Sequence, residues 1–323
     1  MATGFNDITP TKAFMAQLEH LPKSAATLMP FMANKGNVKG EEVYITQLGS
    51  TSARKGRVRR GKHEIDDASF ARRRITPEFA YKAITVDSKD AAETIINPNS
   101  DIAMEVRLCL ERQMFQDAVT AAFGTASTGK TGSGSEAFDA ATTDVIGVQV
   151  GAAANVSINA TKITSAMAAM QDRGFNLADP RNELTLVMAP EQSKAARIDS
   201  TLGSFDYMNG KILSGIDIPG GFMGIKNIIV DPACPFANAG STAIDTTWND
   251  AGLASDGGGN DIRMAFLFCK SAMATVTFNS PVVEIDKLQE RHYDWQVYAA
   301  VHYGFSRMYA QGGVIGILCD ESP

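Results

Sequence analysis

Residues 42–86 constrain this chain more than any other stretch. Two strand-like runs, Glu42 to Leu48 and Ile75 to Val86, flank the polar segment 49–74. Together they read as an extended hairpin. It carries too few apolar residues to own a core. A hairpin without a core must lie on a partner or lose its shape to conformational entropy. The excursion is also basic. Between Arg54 and Arg74 there are nine basic residues and three acids. Arg54, Lys55, Arg57, Arg59, Arg60, Lys62, Arg72, Arg73 and Arg74 are therefore the candidate contact residues of the chain.

The charge of the rest has the opposite sign. Residues 1–90 hold 15 Lys/Arg against 10 Asp/Glu, and residues 91–323 hold 15 against 26. The net charge of −6 hides this division. A basic segment attached to an acidic body implies attraction to a partner, either a nucleic acid or another copy of the acidic body. Docking on an acidic protein surface is the better reading. Single-stranded nucleic acid calls for aromatic side chains between the cations, and only Phe70 qualifies within 54–74. Glu64, Asp66 and Asp67 also dilute the positive field. Charged residues make up 20% of the chain, below the roughly 25% of an average soluble domain. Much of the exterior is thus expected to be covered.

The clearest helix signal lies at 98–123. Ile102, Val106, Leu110, Met114 and Ala118 recur every four residues, and Met104, Leu108, Phe115 and Val119 widen the stripe. Such a helix is roughly 39 Å long at about 1.5 Å per residue. An α+β region follows, with helices expected near 163–173 and 191–200. Strands are expected at 184–188, 225–230, 265–269 and 274–278. Val282 to Ile285 and Trp295 to Phe305 read as a long hairpin. Val297, Ala299, Val301, Tyr303 and Phe305 share one of its faces. Val314 to Leu318 reads as a final buried strand.

Gly124 to Thr131 satisfies the phosphate-loop pattern G-x-x-x-x-G-K-[ST]. That pattern binds phosphate only where a strand leads in and a helix leads out. Here a helix precedes it and two more glycines follow, so 124–136 reads as a flexible linker. The Asp/Asn/Gly stretch 249–261 lacks the spacing of a calcium loop and reads as a surface turn. The four histidines and four cysteines show no metal-ligand spacing, and no cofactor is expected. The amino terminus has no signal-peptide pattern and no run is long enough to span a membrane, so the cysteines read as buried thiols of a reducing cytoplasm.

The order of these parts resembles the Hong Kong 97-type major capsid protein of tailed bacteriophages. The likeness is strongest in two stretches. One is Asn99 to Gly124, ending QMFQDAVTAAFG. The other is Tyr293 to Cys319, YDWQVYAAVHYGFSRMYAQGGVIGILC, which is similar to the closing pattern of podovirus-like coat proteins. The resemblance implies an α+β fold with an N-terminal arm (1–40) and an extended loop (41–92). It further implies a peripheral domain with a spine helix (93–125 and 270–312) and an axial domain (126–269 and 313–323). It implies a structural protein without enzymatic activity. Copies would assemble in the host cytoplasm into pentamers and hexamers of an icosahedral virion head. Other partners would be a separate scaffolding protein, a portal, decoration proteins, and packaged double-stranded DNA held by weak non-specific contact. Three rivals follow from the same residues: an encapsulin-like shell around protein cargo, a nucleotide hydrolase using Gly124 to Thr131, and a nucleic-acid-binding protein using the basic loop.

Overall fold

The structure is a computed structural model. It describes residues 27–49, 51, 53, 55, 67–86, 99–138, 144–152, 154–198, 225–237, 244–245, 262–290 and 294–321. The first strands are β1 (Ala33–Asn37), β2 (Val43–Leu48), β3 (Phe70–Ile75) and β4 (Glu78–Val86). Helix α1 (Asn99–Phe123) and strands β5 (Ala126–Thr128), β6 (Gly134–Glu136) and β7 (Val145–Ile146) come next. They are followed by α2 (Ala160–Asp172), β8 (Leu184–Met188), α3 (Pro190–Ile198), β9 (Asn227–Val230), β10 (Phe236–Ala237) and β11 (Ile244–Asp245). The chain closes with β12 (Ile262–Cys269), β13 (Met273–Leu288), β14 (Asp294–Arg307) and β15 (Val314–Asp320). Among the described residues these strands form three sheets.

The chain divides into two compact units. The larger comprises residues 24–80, 111–280 and 301–323. Its centre is a seven-stranded sheet with β12 in the middle, paired with β15 over seven residue pairs and with β8 on its other side. Both faces of β12 are covered. Ala265, Leu267 and Cys269 pack under Ile163, Ala166 and Met170 of α2. Met264, Phe266 and Phe268 pack under Phe115, Val119 and Phe123 of α1. A strand buried on both faces reads as an unbroken apolar run, and the sequence IRMAFLFC has that character. Asn159 starts α2 in the usual way, its side chain accepting from the Lys162 N–H at 2.8 Å. Cys234, Cys269 and Cys319 are buried free thiols and Cys109 is half-buried. Burial pushes the Cys269 and Cys319 thiols up to about 12.

Lys162 is fully buried. Its Nζ donates to the carbonyls of Val156 at 2.6 Å and Leu318 at 2.8 Å, tying the start of α2 to β15. Burial lowers the pKa of its ammonium. A base with a lowered folded-state pKa binds fewer protons folded than unfolded in the window just below its ordinary value. In that window, rising pH favours the fold. The stability of the native chain should therefore gain on that of a Lys162→Met variant as pH rises toward the ordinary lysine value. Paired urea titrations across alkaline pH measure this, and a constant difference would refute it.

A four-stranded sheet has the order β1-β13-β14-β4. β1 runs parallel to the start of β13, from Ala33 opposite Ala274 to Asn37 opposite Thr277. Val297, Ala299, Val301 and Tyr303 of β14 are buried, as the alternation in the sequence requires, and Phe305 is half-buried. The Tyr303 hydroxyl donates to Asp117 of α1. Gly304 sits where the chain crosses β14 closely. A Cβ there would lie 2.6 Å from Cγ2 of Ile75 and 2.8 Å from the Thr76 carbonyl oxygen. A Gly304→Ala variant should lose about 1–3 kcal/mol, read as a lower urea midpoint. The smaller unit comprises residues 1–23, 81–110 and 281–300. Within it the Lys287 Nζ lies 4.7 Å over the Trp295 ring.

Three sequence expectations are corrected. The strand returning from the excursion is β3, not residues 75–86. Thr76-Pro77 then breaks the chain, since proline has no N–H for the ladder, and β4 joins a different sheet. Residues 124–136 are not a flexible linker but the β5–β6 hairpin. Its turn holds Gly129 and Gly132 at φ of 89° and 69°, and it is tied to β3 by the Gly129 N–H to the Arg72 carbonyl at 3.2 Å. Met104 of α1, counted in the apolar stripe, is 53% exposed.

Candidate subunit-contact site

Strands β2, β3, β5 and β6 form the third sheet, at the root of the charged excursion. Tyr44 pairs with Arg74, Thr46 with Arg72 and Leu48 with Phe70. Strand alternation puts these six on one face and Val43, Ile45, Arg73 and Ile75 on the other. The second face is anchored. Ile75 packs with Ala274, Val276, Phe278 and Met308, and Val43 and Ile45 lean on the same cluster. The first face points outward, with Leu48 68%, Phe70 69% and Tyr44 39% exposed. The Arg72 guanidinium lies 5.8 Å from the Tyr44 ring centre. Arg74 pairs with Glu42 at 3.0 Å. The Tyr44 hydroxyl donates to Glu42 at 2.6 Å, and that bond raises the phenol pKa. The outward face is thus apolar and cationic, with its side chains already ordered.

The nine candidate residues separate accordingly. Arg72 and Arg74 lie on the outward face and Lys55 is exposed. Arg54, Arg57, Arg59, Arg60 and Lys62 lie outside the described residues. Arg73 departs from the exposed basic segment read from the sequence. It is 6% exposed, its Nε donates to the Met308 carbonyl at 2.8 Å, and its guanidinium pairs with Glu136. The strand's two-residue period turns it toward its own chain.

Beside Arg73 lies a second buried arginine that sequence reading did not single out as a site residue. Arg307 is 1% exposed. Its Nη1 donates to the carbonyls of Ala122 at 2.9 Å and Gly124 at 3.3 Å. Its Nη2 donates to the Glu136 carbonyl at 3.1 Å, and its Nε to Tyr309 at 3.2 Å. The guanidinium sits 5.3 Å over the Phe138 ring. Burial and the neighbouring Arg73 lower its pKa, but a guanidinium stays charged. One side chain therefore satisfies carbonyls at the end of α1, on β6 and after β14. The cation also opposes the negative end of the α1 dipole. The signal was present as Gly304-Phe305-Ser306-Arg307, where the apolar alternation of β14 ends on a cation.

The phosphate-loop match falls at this same helix end. The Gly124 N–H is already bonded to the Thr120 carbonyl at 2.7 Å, so the loop leaves a helix C-terminus. Carbonyls and the negative dipole end point toward the loop there, the reverse of a phosphate cradle. Lys130 stands in the hairpin turn, and its carbonyl accepts from Arg72 at 3.3 Å. A cleft of about 580 Å³ opens beside β3, lined by Thr46, Phe70, Arg72, Thr128 and Lys130. The 249–261 stretch lies outside the described residues. Among the described residues no group of three His, Cys, Asp or Glu side chains is placed to hold a metal ion. No helix among them is long and apolar enough to cross a membrane.

A family model described as phage capsid protein matches residues 9–321. No curated protein matches the sequence. Among solved structures, the head of Helicobacter pylori bacteriophage KHP40 superposes with a TM-score of 0.68 at 11% identity, covering 99% of both chains. The capsid of cyanophage P-SCSP1u gives 0.64 at 13% identity, covering 99% of this chain and 95% of that one. Mycobacterium phage Che8 gives 0.60 at 16% identity, covering 97% and 98%. The mixed helix-and-sheet fold is that of Hong Kong 97-type capsid proteins, and the protein is structural rather than enzymatic. The chain belongs to the phage capsid protein family.

Proposed function

We propose that this major capsid protein assembles as pentamers and hexamers of an icosahedral head around double-stranded DNA. The observation that supports this is the outward face of the β2–β3 sheet. Leu48, Phe70 and Tyr44 stand exposed among Arg72 and Arg74 on a base locked to its own core. An apolar, ordered, cationic surface on an anchored stem fits a surface that another copy covers. The acidic excess of residues 91–323 supplies the complementary charge. In this reading Lys55 together with Arg54, Arg57, Arg59, Arg60 and Lys62 supplies further cations for contact with another copy. In this reading the arm, extended loop, peripheral and axial domains are those set out from the sequence. Assembly takes place in the host cytoplasm on a separate scaffolding protein, with a portal and decoration proteins completing the head. The acidic body leaves DNA only weakly held. Electron microscopy of purified particles, with their nucleic acid and protein content measured, tests the proposal. Shells with five- and six-fold capsomers and packaged DNA are expected. Shells filled with protein cargo would favour the encapsulin-like rival, and a monodisperse monomer at every salt concentration would refute assembly itself.

A further inference from the structure

Two carboxylates meet where β4 begins. A Cβ on Gly304 would lie 2.8 Å from the Thr76 carbonyl oxygen, so β14 runs hard against the turn that starts β4. Just beyond, the Phe79 and His302 rings stand 4.4 Å apart on one face of the β4–β14 pair. Strand alternation turns their neighbours Glu78 and Tyr303 to the other face. Tyr303 is buried there, and its hydroxyl donates to Asp117 of α1. The other oxygen of Asp117 accepts from the Gln113 Nε2 at 2.9 Å. Glu78 thus stands beside a carboxylate that two donors already hold. It keeps surface open to water, so protons reach it. Partial desolvation and the charge of Asp117 raise the pKa of Glu78. Burial, the bond to Asp117 and the charges of both carboxylates raise that of Tyr303, which stays a neutral donor. On α1 the side chains one turn from Asp117 on its own face are Gln113 and Ala121, both uncharged. Ile75, Thr76 and Pro77 bring no charge from the turn. Along β4, Ala80 and then the exposed Lys82 follow on the face of Glu78.

We propose that Glu78 and Asp117 share one proton in mild acid, and that this proton clamps the start of β4 to α1 and β14. When the proton leaves, two like charges face each other and the joint loosens. Neighbouring carboxylates in one partly dry site titrate as a pair, and the first proton is held more tightly than either would hold it alone. The sign follows from linkage. An acid whose folded-state pKa is raised binds more protons folded than unfolded. The joint is therefore firmest below the ordinary glutamate value and weakens as pH rises through the raised one. The place suits a hinge, because β3 belongs to one sheet, β4 to another, and Thr76-Pro77 separates them. Proton concentration then sets how firmly the strand that follows the basic excursion is seated on its own chain. The device is independent of how copies touch one another.

The test is hydrogen exchange of the full-length free subunit between about pH 5 and about pH 8, corrected for the intrinsic pH dependence of amide exchange. Peptides covering residues 76–80 report the joint, and peptides of β12 serve as the unresponsive reference. In the parent chain the corrected rate at 76–80 should rise at least about threefold across that range. Glu78→Gln keeps the shape of the protonated acid, so it should hold the slow rate throughout. Asp117→Asn still offers Tyr303 an acceptor but removes the like charge, so the rise should shrink and move to lower pH. His302→Asn should behave as the parent, because the imidazole lies on the opposite face. A Glu78→Gln chain that keeps the parent's rise would overturn the inference, as would a His302→Asn chain that loses it. A parent rate that stays flat once corrected, or an Asp117→Asn chain whose rise is unmoved, would overturn it equally.

Discussion

Replacing Arg307 with methionine is expected to cost about 3–5 kcal/mol of folding stability. The aliphatic part of the side chain is kept, so the loss isolates the guanidinium. Four carbonyls, those of Ala122, Gly124, Glu136 and Tyr309, would lose their donor in a site 1% exposed. Each buried carbonyl left unpaired costs about 1–3 kcal/mol, and relaxation of the β5–β6 hairpin recovers part of the sum. The α1 dipole would also lose its opposing charge. Arg307→Lys keeps the charge but offers a point donor where a planar fork spans four acceptors, so it should rescue only partly. Chemical denaturation of the free subunit measures both. A midpoint within about 1 kcal/mol of the parent for Arg307→Met would mean that water replaces the guanidinium, and the hub would then be dispensable. The same variant should raise the protease sensitivity of the 124–136 hairpin before the rest of the chain, because that hairpin hangs on Arg307 and on the Arg73–Glu136 pair.

The parts that periodicity governs were legible from the residues alone. Helix α1 ends at Phe123 because Gly124 follows a long apolar stripe, and β12, β14 and β15 follow from apolar runs or two-residue alternation. What escaped was set by partners far along the chain. Residues 124–136 look like a linker because glycine, serine and threonine carry no apolar signal. The strand pairing of Ser127 and Thr128 is imposed by Arg74 and Arg73, more than fifty residues earlier. Arg73 looks like its neighbours Arg72 and Arg74 in a basic run. Only the register with β2 decides that it turns inward. Arg307 looks like a lone cation at a strand end, and its four acceptors come from three separate segments. The contact surface was legible in kind, as a charged hairpin in need of a partner. The exposed Leu48–Phe70 pair that gives it an apolar centre emerged only from the pairing.

Excising residues 50–68 and closing Gly49 to Ser69 with an Asn-Gly turn should separate folding from assembly. The geometry permits the closure. The Gly49 N–H already donates to the Ser69 carbonyl at 2.8 Å, and β2 and β3 are in antiparallel register from Leu48–Phe70 to Val43–Ile75. A two-residue turn with positive φ matches the twist of such a pair. The excised stretch contains Arg54, Lys55, Arg57, Arg59, Arg60 and Lys62 but none of the residues that anchor the sheet, which are Val43, Ile45 and Ile75. Subunit stability should therefore change by less than about 1 kcal/mol, and a shorter loop favours the fold slightly. Assembly should respond far more. Each copy in a closed shell repeats every contact, so a modest loss per subunit compounds, and particle yield should fall at least about a hundredfold. The proposed contacts of the excursion are ionic, so milder neutralisation at Arg57, Arg59 and Arg60 should reproduce part of the defect, and added salt should reproduce it in the parent chain. Sedimentation of the excised chain beside its denaturation curve decides the matter. A folded subunit that no longer forms particles assigns the excursion to contacts between copies. Particles formed at parental yield would show that the excursion is a spectator in assembly.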